Sequence, residues 1–304
     1  MPGAGEDTHS HLANARTTRA TLARFGLVAK HRLGQNFLVS DEVVGRILGL
    51  AELMENDVVL EVGPGIGTLT VALLARAHKV IAIEADRALE PVLTMSCAQD
   101  AERLTLLWGD ALRLVPAAVA APTGFLPSSS GVVPVPNKLV SNLPYQLAAT
   151  LILKTLQELP GVGRLVVMVQ AEVAERICAD PGSRAYGAYT AKLALWGQVT
   201  GRFEVGRGSF LPPPHVDSAV VRIDRAPMED PKTGLDLTPS QLDWVARVID
   251  AAFAQRRKTI RNSLSAGGFK RPRLDVAFAR SGISPTVRAE SLSPSDFVRL
   301  ADAL

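Results

Sequence analysis

The stretch that most constrains what this chain can become is Val58-Val59-Leu60-Glu61-Val62-Gly63-Pro64-Gly65-Ile66-Gly67-Thr68-Leu69-Thr70. A short apolar run ends on an acid and then on three glycines at alternate positions, the pattern of a strand that turns tightly into a helix. Glycine accepts positive φ and lets a ligand approach the main chain with no Cβ in the way. A second apolar run, Val80-Ile81-Ala82-Ile83, closes on Glu84. A nucleotide-binding βαβ unit places its ribose-binding carboxylate at about that distance, ~20 residues on.

From Val58 onward apolar runs alternate with helical stretches. Strands are expected over 58–62, 80–84, 104–108, 138–141, 164–170 and 216–223. Such alternation means a parallel sheet with helices on both faces, so the fold class is α/β with a Rossmann-like sheet. Ahead of it, Ser40 is placed to cap a helix whose apolar positions are Val43, Val44, Ile47 and Leu48. Three successive strands deliver Glu61, Glu84 and Asp110 to one edge. A helix cap or solvated turn would explain any one of them; three together mark the carboxyl edge, where open α/β sheets bind ligands.

With 304 residues, 47% of them hydrophobic, the chain can build an α/β domain and a smaller one. Residues 1–22 are polar and aperiodic and are expected to be a mobile tail; 23–225 form the α/β domain. Pro227, Pro231, Gly234 and Pro239 mark a linker over 226–239, and 240–304 read as a helical domain. The Pro-, Ala-, Ser- and Gly-rich stretch 116–136 reads as an extended surface loop. The first thirty residues hold no apolar signal core and no run reaches the ~20 residues of a membrane span, so the cytoplasm is the expected location. Cys97 and Cys178 stand far apart, the five histidines form no pair on a helix face, and no metal site is expected.

The net charge is only +3, but between Gln241 and Arg273 eight Lys or Arg face two Asp. A basic segment on a near-neutral body points to a polyanion. Apolar residues at 242, 245, 249, 252, 253, 260 and 264 predict one amphipathic helix over 240–264, with Arg256, Arg257, Lys258 and Arg261 near its C-terminal end. Cations there suit the helix dipole, yet four within six residues exceed what capping needs, and RNA contact is the expectation.

At the glycine loop, Thr68 stands where a dinucleotide fingerprint wants Gly or Ala. Glu61 would repel a diphosphate but welcome the ammonium of an amino acid. These features describe S-adenosylmethionine: Gly63 and Gly65 near its methionine part, Glu84 on the ribose hydroxyls, Asp110 on the base. The tetrapeptide Asn142-Leu143-Pro144-Tyr145 follows the fourth strand and supplies an acceptor side. The exocyclic amine of adenine is a poor nucleophile because its lone pair is delocalised into the ring. The Asn142 side-chain oxygen and the Leu143 carbonyl can accept its two N–H bonds and aim the lone pair, with Pro144 fixing the backbone and Tyr145 stacking on the base. An adenine must leave its stack to reach such a pocket. Phe210, on the stiff Phe210-Leu211-Pro212-Pro213-Pro214 segment, is a candidate for the second stacking face, its alternative being a core residue.

These motifs, with Gly34-Gln35-Asn36-Phe37-Leu38, the run from Phe210 to Val221 and Gln255-Arg256-Arg257-Lys258-Thr259-Ile260-Arg261-Asn262-Ser263-Leu264, resemble the ribosomal RNA adenine N6,N6-dimethyltransferases of the KsgA type, from about Phe25 to about Leu300. The resemblance implies a class I methyltransferase domain at 23–225 and a small all-helical RNA-binding domain at 240–304. It implies dimethylation of two adjacent adenines in the 3′-terminal hairpin of small-subunit (16S) rRNA, on a partly assembled subunit, late in its biogenesis. By matched motif, Asn36, Leu38, Gly63, Glu84, Asp110 and Asn142 contact S-adenosylmethionine, and Tyr145 and Phe210 frame the target base. A monomer is expected. The 116–136 loop and the N-terminal tail look longer than the family pattern. Competing readings are a large-subunit dimethyltransferase of the erythromycin-resistance type, a non-catalytic nucleic-acid-binding factor that keeps the fold, and, most distantly, an NAD oxidoreductase.

Overall fold

The structure, a computed structural model, describes residues 8–30, 33–119, 125–128 and 131–304. The chain divides into two compact units, Met1–Ala174 with Val199–Asp224, and Glu175–Gln198 with Arg225–Leu304. Residues 175–198, expected within the α/β domain, and 226–239, expected as a linker, thus group with the C-terminal helices. Within that second unit the backbone N–H of Met228 donates to Leu195 O, and Leu237 is buried.

The first unit begins with α1 (Ala15–Arg24), β1 (Phe37–Leu38), α2 (Asp41–Ala51), β2 (Val58–Val62), α3 (Thr68–Leu74), β3 (Lys79–Glu84), α4 (Glu90–Ser96) and β4 (Leu104–Trp108). It continues through α5 (Ala111–Val119), β5 (Phe125–Ser128), β6 (Gly131–Val133), β7 (Lys138–Asn142), α6 (Ala148–Glu158), β8 (Arg164–Gln170) and the first residues of α7 (Ala171–Ile177), which passes into the second unit after Ala174. After β9 (Gly197–Val205) and β10 (Phe210–Leu211) it ends on β11 (Ser218–Arg225). Seven strands form one sheet in the order β4-β3-β2-β7-β8-β11-β9. The first five are parallel and β11 runs antiparallel to β8.

Both faces of the sheet are covered, as near-continuous apolar strands require. Val59, Val80, Val140, Val166, Met168 and Val220 share a cluster with Val44, Ile47 and Leu48 of α2 and Leu69 and Leu73 of α3. The alternate set, Leu60, Ile81, Leu139, Leu165, Val167 and Val221, points the other way and is equally buried. Chain order reverses between β2 and β7, and there the strands part. Their register runs only through Val59↔Lys138 and Leu60↔Leu139. Beyond it the Ser141 hydroxyl accepts from Val62 N at 3.2 Å and donates to Val62 O at 2.5 Å. The side chain takes over from the ladder, so the crevice opens without stranding a backbone group.

Three expectations are corrected. The N-terminal segment is anchored from His9 onward: Asn14 caps α1, Leu12 and Thr18 are buried, and Asp41 accepts from the N–H groups of His9 and Ser10. Within the expected 116–136 loop, α5 runs on to Val119 and β5 pairs with β6; residues 120–124 and 129–130 lie outside the described residues. The single helix expected over 240–264 is two, α9 (Pro239–Phe253) and α10 (Ile260–Ala266).

The second unit also holds α8 (Ala188–Leu193), α11 (Arg271–Ser281) and α12 (Pro294–Ala303). Its core includes Leu242, Val245, Ile249, Ile260, Leu264, Leu274, Phe278, Phe297 and Leu300. Tyr186, Phe253 and Phe297 stack in a chain with ring centroids 6.0 and 5.8 Å apart. Among the described residues no helix is long and apolar enough to cross a membrane.

Candidate active site

A cavity of about 620 Å³ opens at the carboxyl edge of the sheet. Its floor is the glycine loop between β2 and α3. Gly63, Gly65 and Gly67 have φ of 73°, 61° and 92°, a region side chains disfavour. A Cβ on Gly63 would sit 3.3 Å from the Pro144 ring, and one on Gly65 would sit 3.2 Å from the Phe37 ring. The loop therefore needs glycine twice over, for its turn and for the close approach of two other segments. Those segments are the Asn142-Leu143-Pro144-Tyr145 corner after β7 and the Gly34–Leu38 run before α2.

Two carboxylates reach the cavity from adjacent strand ends. Glu61 is 1% exposed and its Oε2 has no hydrogen-bond partner among the described residues. Burial pushes its carboxyl up to about 8; Thr70 pulls it down and the Glu84 charge adds to the rise. Glu84 is also raised by burial, but three main-chain donors oppose the shift: Oε1 accepts from Ala85 N and Asp86 N at 2.8 and 2.9 Å, and Oε2 from Gly65 N at 3.3 Å. Asp110 lines the same cavity but is more exposed, and its Oδ1 accepts from Leu112 N at 2.9 Å at the start of α5.

The opposite wall comes from β7 and from the N-terminal segment. Asn142 Nδ2 donates to Asn36 O at 3.4 Å, which leaves Oδ1 as the acceptor of that amide. Asn36 and Leu38 line the cavity, and Asn36 Nδ2 is taken by Gly34 O. Gln35 braces the segment: its Oε1 accepts from Lys30 N and its Nε2 donates to Asp86, which also pairs with Lys30 Nζ at 2.7 Å. Leu143 is buried and its N–H donates to Met168 O. Tyr145 is half-buried, and its hydroxyl lies 2.8 Å from Ser218 Oγ at the head of β11.

All the residues expected to hold the methyl donor or the amine, Asn36, Leu38, Gly63, Gly65, Glu84, Asp110, Asn142, Leu143, Pro144 and Tyr145, line this one cavity, as does Glu61. Phe210 does not. It is 4% exposed, faces Leu38 across the β1–β10 pair and joins the cluster under α2 and α3. The expected second stacking face is corrected accordingly: that segment lines the cavity with Pro213, Pro214, His215 and Val216. Ser218 and Gln170 were missed by sequence reasoning. They are register partners on β11 and β8, a pairing no local pattern reveals.

The basic cluster belongs to the second unit. Arg256, Arg257 and Lys258 sit in the exposed turn between α9 and α10. Arg261 is committed to Asp275 at 2.8 Å, and Arg256 faces Glu290 at 3.9 Å. Arg257 and Lys258 form no ion pair among the described residues.

These observations fit S-adenosylmethionine. A buried carboxyl oxygen without a partner among the described residues suits an ammonium, and a main-chain-braced carboxylate suits a ribose diol. Strand order, crevice and carboxyl-edge acids together define a class I methyltransferase. The family model described as ribosomal RNA adenine dimethylase matches residues 26–304, and the chain belongs to that family. It is 41% identical over 282 residues to the ribosomal RNA small subunit methyltransferase A of Acidothermus cellulolyticus, covering 91% of this chain and 90% of the relative. Identity to the protein of the same name from Thermobifida fusca is 40%, over 97% and 99% of the two chains. Among solved structures, a dimethyladenosine transferase from Plasmodium falciparum aligns with a TM-score of 0.69 at 26% identity, covering 87% of this chain and 95% of that one. The 23S rRNA methyltransferase ErmE aligns with a TM-score of 0.64 at 25% identity, over 88% and 99%.

Proposed function

We propose that this chain methylates the N6 amines of two adjacent adenines in the 3′-terminal hairpin of small-subunit rRNA, on a partly assembled subunit late in its biogenesis, as a cytoplasmic monomer. The observation that carries the reading is the joining of an oriented Asn142 amide to the glycine loop through Pro144, in the same cavity as Glu61 and Glu84.

S-adenosylmethionine supplies an electrophilic methyl group on a sulfonium. Glu61 would accept from its ammonium, Glu84 from its ribose hydroxyls and Asp110 from its adenine amine. Asn142 Oδ1 and the Leu143 carbonyl accept the two N–H bonds of the target amine and turn its lone pair toward the methyl. The nitrogen would become cationic as the methyl–sulfur bond breaks and leaves a neutral thioether, and would lose its proton to water only afterwards, so no side chain has to act as a base first. Rate enhancement comes from holding the reactants in line in a dry site, an effect worth up to about 7–11 kcal/mol in well-oriented systems. Tyr145, anchored by Ser218, gives the flipped base one stacking face. Val216 lines the same cavity and is exposed.

The deciding experiment maps N6-dimethyladenine in small-subunit rRNA from cells lacking the gene, then restores it with purified protein on assembled subunits and on naked rRNA. Restoration at two neighbouring adenines, faster on subunits, is the expected result. A methylated adenine in large-subunit rRNA, or no methylation anywhere, would defeat the proposal.

A further inference from the structure

The helix α1 lies ahead of residue 26, where the family match begins. Between Thr8 and Ser40 the sequence has no Asp or Glu but carries Arg16, Arg19, Arg24, Lys30 and Arg32. Arg16, Arg19 and Arg24 are exposed on α1, and none forms an ion pair among the described residues.

Internal electrostatics do not explain this arrangement. The first turn of α1 has no acid, and Arg16 stands there against the positive end of the helix dipole. Arg16 and Arg19 are three apart, a spacing at which like charges repel. Only Arg24, in the last turn, suits the dipole. The helix is nonetheless firmly seated. Asn14 Oδ1 accepts from Arg16 N and Thr17 N, the buried Thr18 hydroxyl donates to Leu12 O, and Asn14 bridges to Ser40. Leu22 and Phe25 pack on the cluster holding Phe37 and Ile66, both of which line the cavity. A rigid helix thus carries three unneutralised guanidinium groups on the unit that holds the active site. The shallow groove beside Arg24 also contains Arg87, and its acid, Glu90, faces Arg87 at 3.9 Å.

We propose that α1 is a second RNA-phosphate contact surface, which grips the backbone flanking the target adenine through Arg16, Arg19 and Arg24. This rests on the reading of the site as an rRNA methyltransferase. Guanidinium groups bind phosphate oxygens in a fork, and a fixed helix would set the register of the strand that enters the cavity. RNA is preferred over an anionic membrane because α1 has no apolar stripe to insert: its buried residues are Thr18 and Thr21, and its Leu22 packs into the fold.

The test compares the full chain with an R16Q/R19Q/R24Q variant and an R16K/R19K/R24K variant, measuring affinity for small-subunit rRNA across salt concentrations, S-adenosylmethionine binding and thermal unfolding. The Gln variant should bind rRNA roughly tenfold more weakly, with a log–log salt slope shallower by about two to three units, unchanged methyl-donor binding and unchanged unfolding. The Lys variant should keep most of the slope. Unchanged affinity and slope in the Gln variant, with wild type binding and methylating rRNA, overturns this inference alone. Absence of any rRNA binding by wild type overturns the functional reading as well. Binding to phosphatidylglycerol vesicles that the Gln variant loses while keeping its rRNA affinity would assign the face to a membrane and overturn the RNA contact.

Discussion

At the amino ends of the central strands buried acids sit among cations, whereas at the carboxyl ends Asp86 takes Lys30 but Glu61 and Glu84 form no ion pair among the described residues. Asp57, just before β2, takes the Lys138 ammonium at 2.7 Å, Asn137 Nδ2 at 2.7 Å and Met54 N at 2.6 Å. Burial alone would raise its carboxyl, but Lys138 and the two other donors hold it below its ordinary range. Lys138 also donates to the carbonyls of Ala51 and Glu52. Next to it, Arg164 and Arg222 each bridge Glu52 and Asp224. Towards the other end of β2, Glu61 has an oxygen with no hydrogen-bond partner among the described residues and a carboxyl pushed up to about 8. A buried carboxyl oxygen without a hydrogen-bond partner costs free energy even when the group is protonated, so one end is built to hold the fold and the other keeps a polar group open for a ligand to complete.

The contrast can be broken most severely at the amino end. Lys138→Met should destabilise the protein by about 3–5 kcal/mol in urea unfolding by stranding Asp57, while methyl-donor affinity below the transition stays normal. A matched loss of donor affinity in the folded protein would show that the two ends are not separable. At the carboxyl end, Asn142→Ala should lower single-turnover methylation by roughly a hundred- to a thousandfold, with rRNA retention unchanged. Near-normal turnover would remove Asn142 from the reaction.

Glu61→Gln sharpens the same point. The native carboxyl holds its proton up to about pH 8, while the unfolded one releases it near the ordinary glutamate value. The native state therefore binds more protons across that window, and stability falls as pH rises through it. The Gln variant should lack this decline and bind S-adenosylmethionine about ten- to a hundredfold more weakly. In wild type near neutral pH, donor binding should release up to about one proton, read by calorimetry in buffers of different ionisation enthalpy; the variant should release none. An identical pH–stability curve in the two proteins would clear Glu61 of the charge assigned to it.

Smaller effects are expected at the periphery. Arg257→Ala with Lys258→Ala should flatten the salt dependence of rRNA binding by about 1.5 units, and Arg261→Ala should act more through the lost Asp275 pair than through RNA. Ser218→Ala frees the Tyr145 hydroxyl and should lower turnover several-fold with donor binding intact, Ser218→Thr restoring it. Equal turnover in all three Ser218 forms would show that the ring needs no anchor.

The glycine loop, the strand-end acids and the Asn142–Tyr145 corner were legible because their constraints are local: a turn, an edge, a rigid dipeptide. Phe210 was misplaced because its partner, Leu38, comes from a distant two-residue strand. Helix α1 buries Thr18 and Thr21 on its inner face, so it carries no apolar stripe to read. Strand β9 was hidden for a related reason. Its alternation is broken at Gly201, where a Cβ would come 3.0 Å from Leu50, and Phe203 packs on the core while the Arg46 guanidinium lies over its ring. Phe253 at the end of α9 and Ile260 at the start of α10 are seven residues apart, close to two helical turns, so the apolar register continues across the break as if one helix ran through.

The hydroxyl of Ser141 has a further consequence. Because one oxygen serves both main-chain groups of Val62, the protection of the Val62 amide against deuterium exchange depends on a single rotatable side chain rather than on a neighbouring strand. That amide is a built-in gauge of the crevice: its exchange rate should follow the separation of β2 from β7 as ligands enter and leave, while the amides deeper in both strands stay silent.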